Sequence, residues 1–437
     1  MILFHFPPLG GVAMSRNTRN VEHLPEFGWD PVVIAPRTGD LVDRDSLELV
    51  ARSARVIRTR WFRPEWFRPL VNALRRPGRP RHQPATVLQP DLPTEVGGNA
   101  TPFGFWRLRQ LLFFPDAEVG WLPFGVLAAV RAHRATRIDA VYSTASPVTA
   151  HLIAGLVHRL LRVPWVAEFR DPWVGNPMAD PLPWFHRRLQ LRIERWIVQS
   201  ADRIVFVSPS TARLYRTRYP LAKEMVTISN GHDPSERVVA ANRAEGRPYR
   251  IVWTGELYRP AELRLFLDGL RLLVARRPAI ADELQVQFFG HMSNECAAIA
   301  SEFSQDSTVG RIVRFRGFVP RRVALQAVAD ADASLVMLGA GRGMEQFVPG
   351  KLFDALGMNK QVLGVLPPGD ARDILEQLGW GVIADPDVDD VGRAIELVMT
   401  LPRPTGLADP EGLYDRVRLA GCLAQTLDDV AVVKAAS

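Results

Sequence analysis

Residues 333–366 have the sequence ASLVMLGAGRGMEQFVPGKLFDALGMNKQVLGVL. The apolar run Ala333–Leu338 predicts a buried strand, and the run Val362–Leu366 predicts a second one. The segment between them is long enough for a crossover helix, and Pro349 stands where such a helix would begin. Strand, helix and strand in this order define a parallel βαβ unit, whose sheet is covered by helices.

Apolar runs of the same kind recur on both sides of this unit. In the C-terminal half, further strands are predicted at Ile251–Thr254, Leu284–Phe289, Ile312–Phe315 and Val382–Ala384. In the N-terminal half, strands are predicted at Met1–Phe6, Val32–Ala35, Ile138–Tyr142, Trp165–Phe169 and Ile204–Val207. Segments of helix length follow several of them, at Ala13–Phe27, Val148–Leu161 and Phe185–Gln199. The predicted fold class is therefore α/β, with two doubly wound, Rossmann-like domains that face a central cleft.

A polar stretch at Asn230–Pro248 separates the two series and predicts the domain boundary. A chain of 437 residues is long enough for two domains. We expect an N-terminal domain over residues 1–235 and a C-terminal domain over residues 248–408. The apolar spacing within Glu411–Val430 predicts that residues 409–437 close the chain with a helix.

A long interruption of the N-terminal series, at about residues 52–120, is rich in arginine and aromatic residues. This mixture suits a segment on an anionic membrane, where aromatic rings lie at headgroup depth. A surface excursion whose rings pack on their own domain is the alternative, and Pro64 and Pro69 would break a long amphipathic helix. Both interpretations stay open, with Trp61–Arg81 as the membrane candidate. The residues concerned are Arg58, Arg60, Arg63, Arg68, Arg75, Arg76, Arg79 and Arg81, with Trp61, Phe62, Trp66 and Phe67.

The chain carries a net charge of +7, mostly through arginine, and its sequence pI is near 9.8. Arginine binds phosphate through a planar fork of donors, so this surplus favours phosphate-bearing ligands or an anionic surface. The sequence contains no helix-turn-helix, zinc-finger or RNA-binding signature, which argues against nucleic acid as a partner. Because it also lacks a signal peptide, a long apolar stretch and paired cysteines, we expect a cytoplasmic protein, soluble or peripheral at the inner membrane face.

Two glycine turns follow predicted strands, and ligands of parallel sheets bind beyond the carboxyl ends of strands. Gly10 and Gly11 follow the first strand of the N-terminal half, and Gly255 follows the first strand of the C-terminal half. Glycine lets backbone amides approach an anion closely. An ordinary tight turn is the alternative interpretation of the Gly10-Gly11 pair. Arg259, which follows Gly255, is a candidate to bind a diphosphate through two parallel hydrogen bonds.

The strand Trp165–Phe169 ends in the charged sequence Glu168-Phe-Arg-Asp171. Glu168 and Asp171 are candidate catalytic residues, because a carboxylate there can orient a substrate hydroxyl or stabilise positive charge at a reacting carbon. A structural ion pair with Arg170 is the alternative. His151, expected in the first turns of a helix, is a third catalytic candidate, and a structural role is its alternative.

The most specific signal is the segment from Gly343 to Asp354, with Pro349-Gly350-Lys351 at a predicted helix start. A helix N-terminus with a lysine in its first turn is an anion site, so phosphates are expected to bind there. One turn later, the Asp354 carboxylate is placed to accept hydrogen bonds from ribose hydroxyls. An ordinary helix start with a solvated lysine is the alternative.

Asp330 and Asp332 invite a metal assignment, because two acidic residues one apart can bind Mg²⁺ or Mn²⁺. They precede the strand at Ala333 and therefore lie at the edge opposite the ligand side. A solvated turn explains the pair better, so no metal is assigned.

These segments resemble the retaining GT-B glycosyltransferases, and in particular glycosyltransferase family four. The resemblance covers nearly the whole chain. It rests on FPPLGG at residues 6–11, YSTASP at 142–147, FRDPW at 169–173, ADRIVFVS at 201–208, ISNG at 228–231 and VPGKLFDALG at 348–357. Among these, FRDPW and PGKLFDALG are the more specific, and they place the chain near a bacterial branch of the family.

The resemblance implies a retaining, metal-independent hexosyltransferase-like enzyme without a cofactor. Its donor would be a nucleotide-diphosphate sugar held mostly by the C-terminal domain, and its acceptor a glycan or a lipid-linked glycan of the cell envelope. Arg259 and Lys351 would neutralise the diphosphate, Asp354 would contact the ribose, and Gly10 and Gly11 would border the transferred sugar. The closing helix would cross back to the N-terminal domain.

Many family members carry two glutamates separated by seven residues, and here those positions are Gln346 and Asp354, with Glu345 beside the first. The resemblance thereby completes the expected donor site. That site consists of Gly10, Gly11, Gly255, Arg259, Glu345, Gln346, Pro349, Gly350, Lys351, Leu352 and Asp354.

Two other functions remain compatible with the sequence. A nucleotide-sugar 2-epimerase shares the architecture but acts on the donor alone. A non-catalytic module that binds a nucleotide or a lipid-linked glycan is the other alternative, because acidic positions of the family are replaced. The nucleotide base, the sugar, the acceptor and the oligomeric state are not encoded by these motifs.

Overall fold

The computed structural model describes residues 1–8, 12–37, 50, 52–62, 114–178, 184–241, 246–402 and 404–435. Gly10, Gly11 and most of the arginine-rich interruption, including all of it beyond Phe62 up to residue 113, lie outside the described residues. Within the described part of the chain, none of the helices combines the length and the apolar character that crossing a membrane requires.

The N-terminal domain is built on parallel strands that are buried between helices. Its strands are β1 (Val32–Pro36), β2 (Arg55–Thr59), β3 (Val141–Ala145), β4 (Trp165–Phe169), β5 (Arg203–Phe206) and β6 (Met225–Thr227). Its helices are α1 (Val12–His23), α2 (Leu122–Ala135), α3 (Thr149–Leu161), α4 (Trp184–Ser200) and α5 (Pro209–Arg218), with short 3₁₀ turns at Leu24–Phe27, Val119–Trp121 and Pro234–Glu236.

The strand expected over Met1–Phe6 is reduced to isolated bridges. Ile2 pairs in parallel with Ile34 of β1 and with Ser143 of β3, and so joins the β1–β2 pair to the sheet β3-β4-β5-β6. The segment turns away after Leu3, since a Pro7-Pro8 pair without amide donors follows. The first residues of the chain thus lie in the middle of the N-terminal sheet.

The C-terminal domain contains a six-stranded parallel sheet in the order β12-β11-β10-β7-β8-β9. The chain enters at β7, extends the sheet to one side through β9, and returns beside β7 at β10. The switch point between β7 and β10 opens a crevice at the carboxyl ends of both strands, where such sheets bind ligands. The α/β class with two Rossmann-like domains is confirmed.

The strands of this domain are β7 (Tyr249–Thr254), β8 (Leu284–Phe289), β9 (Val313–Gly317), β10 (Ala333–Met337), β11 (Gln361–Val365) and β12 (Gly381–Ala384). The helices are α6 (Pro260–Arg276), α7 (Ile280–Glu283), α8 (Asn294–Gln305), α9 (Arg321–Asp330), α10 (Gly350–Gly357), α11 (Asp370–Leu378) and α12 (Val388–Thr400), with a 3₁₀ turn at Met344–Gln346. The last helix of the chain is α13 (Arg416–Ala435).

Helix α13 packs on the N-terminal domain, although the preceding chain belongs to the C-terminal one. Leu419 and Leu423 share a buried cluster with Leu3 and Phe6. Where the chain crosses, the His232 amide donates to Tyr414 O at 2.9 Å and the Arg416 amide donates to His232 O at 2.9 Å. The interdomain linker and the start of α13 are therefore fastened together.

Gly231 is required at this crossing because nothing larger fits. A Cβ atom on Gly231 would lie 2.0 Å from the carbonyl oxygen of Tyr414 and 2.7 Å from Leu419 Cδ1. The close approach of two backbones, rather than a positive φ, explains the glycine. It brings α13 against the linker at the back of the cleft.

The two domains also touch across the front of α5. The amide and the hydroxyl of Ser210 donate to the Asp370 carboxylate at 3.0 and 2.6 Å, so that α5 meets the first residue of α11. The Thr211 hydroxyl lies 3.4 Å from Gln346 Oε1. The hydrogen bonds that join α5 to the C-terminal domain are therefore made by polar side chains and one backbone amide.

A buried carboxylate anchors the loop that follows β4. Glu194 of α4 is fully buried and accepts hydrogen bonds from the hydroxyls of Tyr215 and Tyr219, each at 2.7 Å, and from Arg218 at 2.7 Å. It also accepts the Val174 amide at 3.0 Å. Every donor around the carboxylate is satisfied, so this cluster holds the 170–178 loop against the domain.

We predict that Glu194→Ala lowers the free energy of unfolding by about 3–5 kcal/mol, because it leaves Arg218 and two buried hydroxyls without their acceptor. Urea unfolding measures this as a lower midpoint. Glu224→Ala is the matched control, since Glu224 is exposed and pairs with Arg203 at the surface; its effect should stay below about 1 kcal/mol. Equal midpoints for the two variants would show that the Glu194 cluster does not anchor the domain.

Candidate active site

A cleft of about 400 Å³ lies between the domains at the carboxyl ends of their strands. Arg170 and Asp171 follow β4 on its N-terminal side, and Trp253 at the end of β7 and the start of α10 form its C-terminal side. Asn230 and Gly231 of the linker close its back. The residues that follow parallel strands therefore converge here, as the topology requires.

Lys351 stands at the centre of the C-terminal wall. Helix α10 begins at Gly350, directly after Pro349, which places Lys351 in the first turn, where amides lack helical partners. The Lys351 ammonium lies 3.1 Å from the centroid of the Trp253 ring, a cation–π contact. A Cβ on Gly255, whose φ is +112°, would lie 3.6 Å from the ammonium. Gly255 and Lys351, which the sequence predicts as site residues, thus lie next to each other.

The charge of Lys351 is poised near neutral pH. Burial lowers the pKa of Lys351 to about 7, and the carboxylates of Glu262, Asp354 and Glu256 oppose that shift only in part. None of them forms an ion pair with Lys351 in the described structure. A bound anion would supply the missing countercharge and favour the charged ammonium.

Arg259 lies on the same wall and is already paired. Its Nε donates to Glu262 Oε1, and the same oxygen accepts the amide of Gly339 at 2.5 Å. Burial raises the pKa of Glu262, while Arg259 and the Gly339 amide oppose the shift. The ion pair fixes Arg259 at the mouth of the crevice between β7 and β10.

Asp354 reaches the cleft one turn after Lys351. Its Oδ1 accepts a hydrogen bond from Arg321 at 3.0 Å, and Arg321 also holds Glu236 of the linker at 2.6 and 3.0 Å. The two carboxylates raise the pKa of Arg321 despite its burial. Asp354 is therefore a cleft residue whose orientation is set by an arginine from α9.

On the N-terminal wall, Glu168 is completely buried rather than open to the cleft. It accepts hydrogen bonds from Arg16 Nε at 3.0 Å and Nη2 at 2.7 Å, and from the Thr144 hydroxyl at 3.0 Å. Burial alone would raise the pKa of Glu168, but Arg16 brings it below the usual value. The alternative of a structural ion pair holds, with Arg16 of α1 as the partner in place of Arg170.

Arg170 and Asp171 do line the cleft. Arg170 donates to the carbonyl oxygens of Ala145 and Ser146, each at 3.0 Å, which fixes the end of β3 beside the loop. The Asp171 side chain is open to cleft water, yet it lies among protein atoms that raise its pKa, while Arg170 opposes the shift. Asp171 is the sequence-predicted catalytic residue that faces a ligand space.

His151 is enclosed in the N-terminal core and does not line the cleft. Its Nδ1 lies 2.8 Å from the Ser143 hydroxyl, and its ring packs 4.7 Å from Phe169. Burial lowers the pKa of His151 to about 3, so the ring is neutral. This placement corresponds to the structural role and not to contact with a ligand in the cleft.

The remaining predicted donor-site residues lie in different places. Gln346, Pro349 and Gly350 line the cleft. Glu345 is exposed outside it, and Leu352 is fully buried in the C-terminal core. Gly10 and Gly11 belong to the segment outside the described residues.

Several cleft residues are missed by the sequence reasoning. Among them are four that come from separate segments and are unremarkable in their own local sequence: Arg16, Trp253, Arg321 and Arg416. Trp253 lies in a predicted strand, and the three arginines lie on helices in a chain with many other arginines.

Two groups of residues have side chains of the kind that bind metal ions. Glu22, His23 and Asp233 have ligand atoms within 4.8 Å of one another, but Arg19 holds both carboxylates, at 2.6 and 2.8 Å. The pair predicted to be a solvated turn is also bound by protein groups. Asp332 accepts from Arg247 and from the Arg250 amide, each at 2.8 Å, and Asp330 accepts the Ala241 amide at 2.7 Å. We assign no metal to either group.

Residues 86–236 match the family model described as Glycosyltransferase Family 4. No curated protein sequence matches the chain significantly.

Solved structures match between about three quarters and nearly all of the chain. HepE from Anabaena, in complex with UDP and glucose, is 15% identical with a TM-score of 0.60, covering 98% of this chain and 99% of that one. The sucrose-phosphate synthase from Thermosynechococcus elongatus is 15% identical with a TM-score of 0.56, covering 99% and 95%. A UDP-forming α,α-trehalose-phosphate synthase from Burkholderia vietnamiensis is 13% identical with a TM-score of 0.51, covering 74% and 78%.

The fold is that of the GT-B glycosyltransferases, with two Rossmann-like domains around one cleft. The family-model match covers the N-terminal side, and the structural similarity extends the comparison to the C-terminal domain. The family-model match indicates the glycosyltransferase class, and the structural similarity shows the fold.

The lowered pKa of Lys351 leads to a prediction about stability and pH. In the unfolded chain a lysine titrates at about 10.4, so between about pH 7 and pH 10 the unfolded state binds more protons than the folded state. The cost of burying the charge is therefore complete below about pH 7 and disappears as the pH rises toward the unfolded pKa. We expect Lys351→Met to raise the melting temperature relative to the native protein most at about pH 6.5 and least at about pH 9.5.

Differential scanning calorimetry across this range measures the difference between variant and native protein. Lys223→Met is the control, because Lys223 is largely exposed beside Asp202 and its substitution should give a nearly constant difference. A Lys351→Met difference that stays constant with pH would mean that the ammonium remains charged throughout.

Proposed function

We propose that this protein is a retaining glycosyltransferase that moves a sugar from a nucleotide-diphosphate sugar to a glycan or lipid-linked acceptor. The observation that carries the proposal is Lys351. Within the described structure, a half-buried ammonium without a contacting carboxylate stands at the start of α10, in the cleft of a GT-B fold. Such a group favours a ligand that brings negative charge to this point.

The donor diphosphate would lie against Lys351, Arg259 and the first turn of α10. Arg259 is held by Glu262 at the crevice, and the Gly255 backbone lies close to the Lys351 ammonium. In support, HepE from Anabaena, which shares the fold, was crystallised with UDP. The ribose would lie beside Asp354, whose carboxylate is oriented by Arg321.

The transfer would proceed with retention and without a metal. The bond between the sugar's anomeric carbon and the phosphate oxygen breaks, and the acceptor oxygen bonds to that carbon on the same face. The acceptor's proton passes to the oxygen of the leaving diphosphate. Lys351 and Arg259 would stabilise the charge that develops on that diphosphate, and Asp171 would orient the acceptor hydroxyl from the opposite wall.

A thermal-shift screen with UDP, GDP, ADP and dTDP tests the donor site. We expect one of them to raise the melting temperature by mass action, and Lys351→Ala to abolish that shift. Lys223→Ala, an exposed lysine far from the cleft-lining residues, is the matched control and should keep the shift. No shift with any nucleotide would contradict the donor assignment and favour the binding-module alternative.

The reaction itself is tested with the sugar form of the selected nucleotide. A transferase releases nucleoside diphosphate in quantity only when an acceptor is present, whereas a 2-epimerase interconverts the donor sugar alone. The anomeric configuration of the product, measured by NMR, distinguishes retention from inversion.

We further propose that the acceptor is met at an anionic membrane, as in assembly of cell-envelope polysaccharides or glycoconjugates. The support in the described structure is one face of α4. Trp184 is 69% exposed, and Phe185 and Leu189 are also exposed, while Arg188 lies 5.0 Å over the Trp184 ring. Exposed aromatic and aliphatic side chains among arginines suit the interface of an anionic bilayer.

We predict that the protein co-sediments with phosphatidylglycerol vesicles at low salt and that binding weakens at high salt, where surface charges are screened. Replacing both Trp184 and Phe185 by serine should reduce binding, because the apolar insertion is lost. Leu221→Ser removes an apolar side chain that is 87% exposed elsewhere, and it should have no effect. Equal binding of all three proteins would contradict a membrane role for this face of α4.

A further inference from the structure

Arg416 is a cleft residue whose charge is not used by any contact of the protein. It is the first residue of α13, its side chain is 7% exposed, and it lines the back of the cleft beside the linker. Within the described structure its guanidinium forms no hydrogen bond or ion pair, and its Nη1 is buried without a partner. Its backbone is held in place by the hydrogen bond that its amide donates to His232 O.

The other helix-borne arginines of the cleft differ from Arg416 in this respect. Each of the following three holds at least one carboxylate directly: Arg16 holds Glu168, Arg259 holds Glu262, and Arg321 holds Glu236 and Asp354. Arg416 therefore stands out as a buried cation that the described fold leaves without a countercharge in contact.

Such an arrangement costs stability unless a ligand compensates for it. A guanidinium stays charged at any physiological pH, so it does not escape the cost by losing its proton. Burial, with smaller contributions from Arg16 and Arg321, lowers the pKa of Arg416 to about 9, while Asp354 and Glu236 oppose the shift. Unpaired, desolvated charges in clefts are characteristic of functional sites.

The end of α13 is not itself the binding feature. Asp415 caps the helix, since its Oδ1 accepts the Val417 amide at 2.7 Å and its carbonyl accepts the Leu419 amide at 2.9 Å. The free donors at this place are those of the Arg416 side chain. Arg16 is nearly saturated by Glu168 and by the carbonyl oxygens of the linker, so it contributes positive potential rather than hydrogen bonds.

We propose that Arg416, supported by Arg16, forms a second phosphate-binding subsite at the linker end of the cleft, separate from the subsite at Lys351 and Arg259. Lys351 belongs to α10 of the C-terminal domain, whereas Arg416 opens a helix that packs on the N-terminal domain. A ligand phosphate at Arg416 would therefore bind at the junction of the two domains, where hydrogen bonds join the linker to the start of α13.

Two ligands carry the required chemistry. The phosphate belongs either to the nucleotide of the donor or to an anionic acceptor. The subsite rests on the proposed function only for the identity of these ligands, because the unpaired guanidinium is a property of the cleft itself.

The test uses inorganic phosphate as the probe and isothermal titration calorimetry as the measurement. Lys351→Ala serves as the background, so that phosphate binding at Lys351 does not contribute. We expect the background protein to bind phosphate, and an added Arg416→Gln to weaken that binding at least about tenfold, as loss of a charge-assisted hydrogen bond implies. Arg418→Gln is the matched control, because Arg418 is exposed on the same helix and bonds only Glu411 O.

Two results would overturn the proposal: no phosphate binding in the Lys351→Ala background, or equal phosphate affinity in the Arg416→Gln and Arg418→Gln proteins. Arg416→Lys separates binding from folding, since it keeps the charge. We expect it to bind phosphate more tightly than Arg416→Gln. If both substitutions abolished binding equally and both lowered the melting temperature, Arg416 would have a structural role instead.

A competition experiment identifies the source of the phosphate. If saturating nucleoside diphosphate excludes phosphate from the native protein, and Arg416→Gln weakens the nucleotide, the group belongs to the donor. If phosphate still binds to the nucleotide-saturated protein, the subsite takes an anionic acceptor. If no nucleoside diphosphate binds at all, the proposed function fails, while the phosphate titrations still decide the subsite independently.

Discussion

The buried ion pair between Arg16 and Glu168 is the interaction on which the N-terminal wall of the cleft depends. It joins α1 to β4, and Arg16 also binds the carbonyl oxygens of Ile228 and Ser229, where the interdomain linker begins. Removing either partner would leave a charge in the protein interior, at a cost of about 3–5 kcal/mol. The end of β4, and with it Asp171, therefore has a fixed position relative to the linker.

The charges of the cleft form two kinds of groups. Three of the cations are neutralised by carboxylates in direct contact: Arg16 by Glu168, Arg259 by Glu262, and Arg321 by Glu236 and Asp354. Such pairs orient side chains but leave little net attraction for an anion. Lys351 and Arg416 lack a contacting carboxylate in the described structure; Lys351 is half-buried and Arg416 is buried. The attraction for negatively charged ligands is thus concentrated at two points, one carried by each domain.

Domain movement would change the distance between these points. The contacts between α5 and the C-terminal domain are polar and few, with Ser210 on Asp370 and Thr211 near Gln346. A ligand that spans both walls would add contacts only when the domains are together, so its binding would favour the closed arrangement. The linker and α13 are packed together at Gly231, and this junction would stay in place during such closure.

The sequence by itself determined the local features, because apolar runs, prolines and glycine turns act over a few residues. It predicted β4 at Trp165–Phe169 and the α/β class, and it singled out Gly255 and Lys351, which lie close together in the structure. It missed β2, which lies in the arginine-rich interruption, and β6, which is only three residues long; it also missed α2 and α5. Tertiary structure alone decided that Glu168 and His151 are buried and that Arg416 reaches the cleft, because burial and charge pairing depend on residues far apart in the sequence, such as Arg16 and Glu168, being brought together.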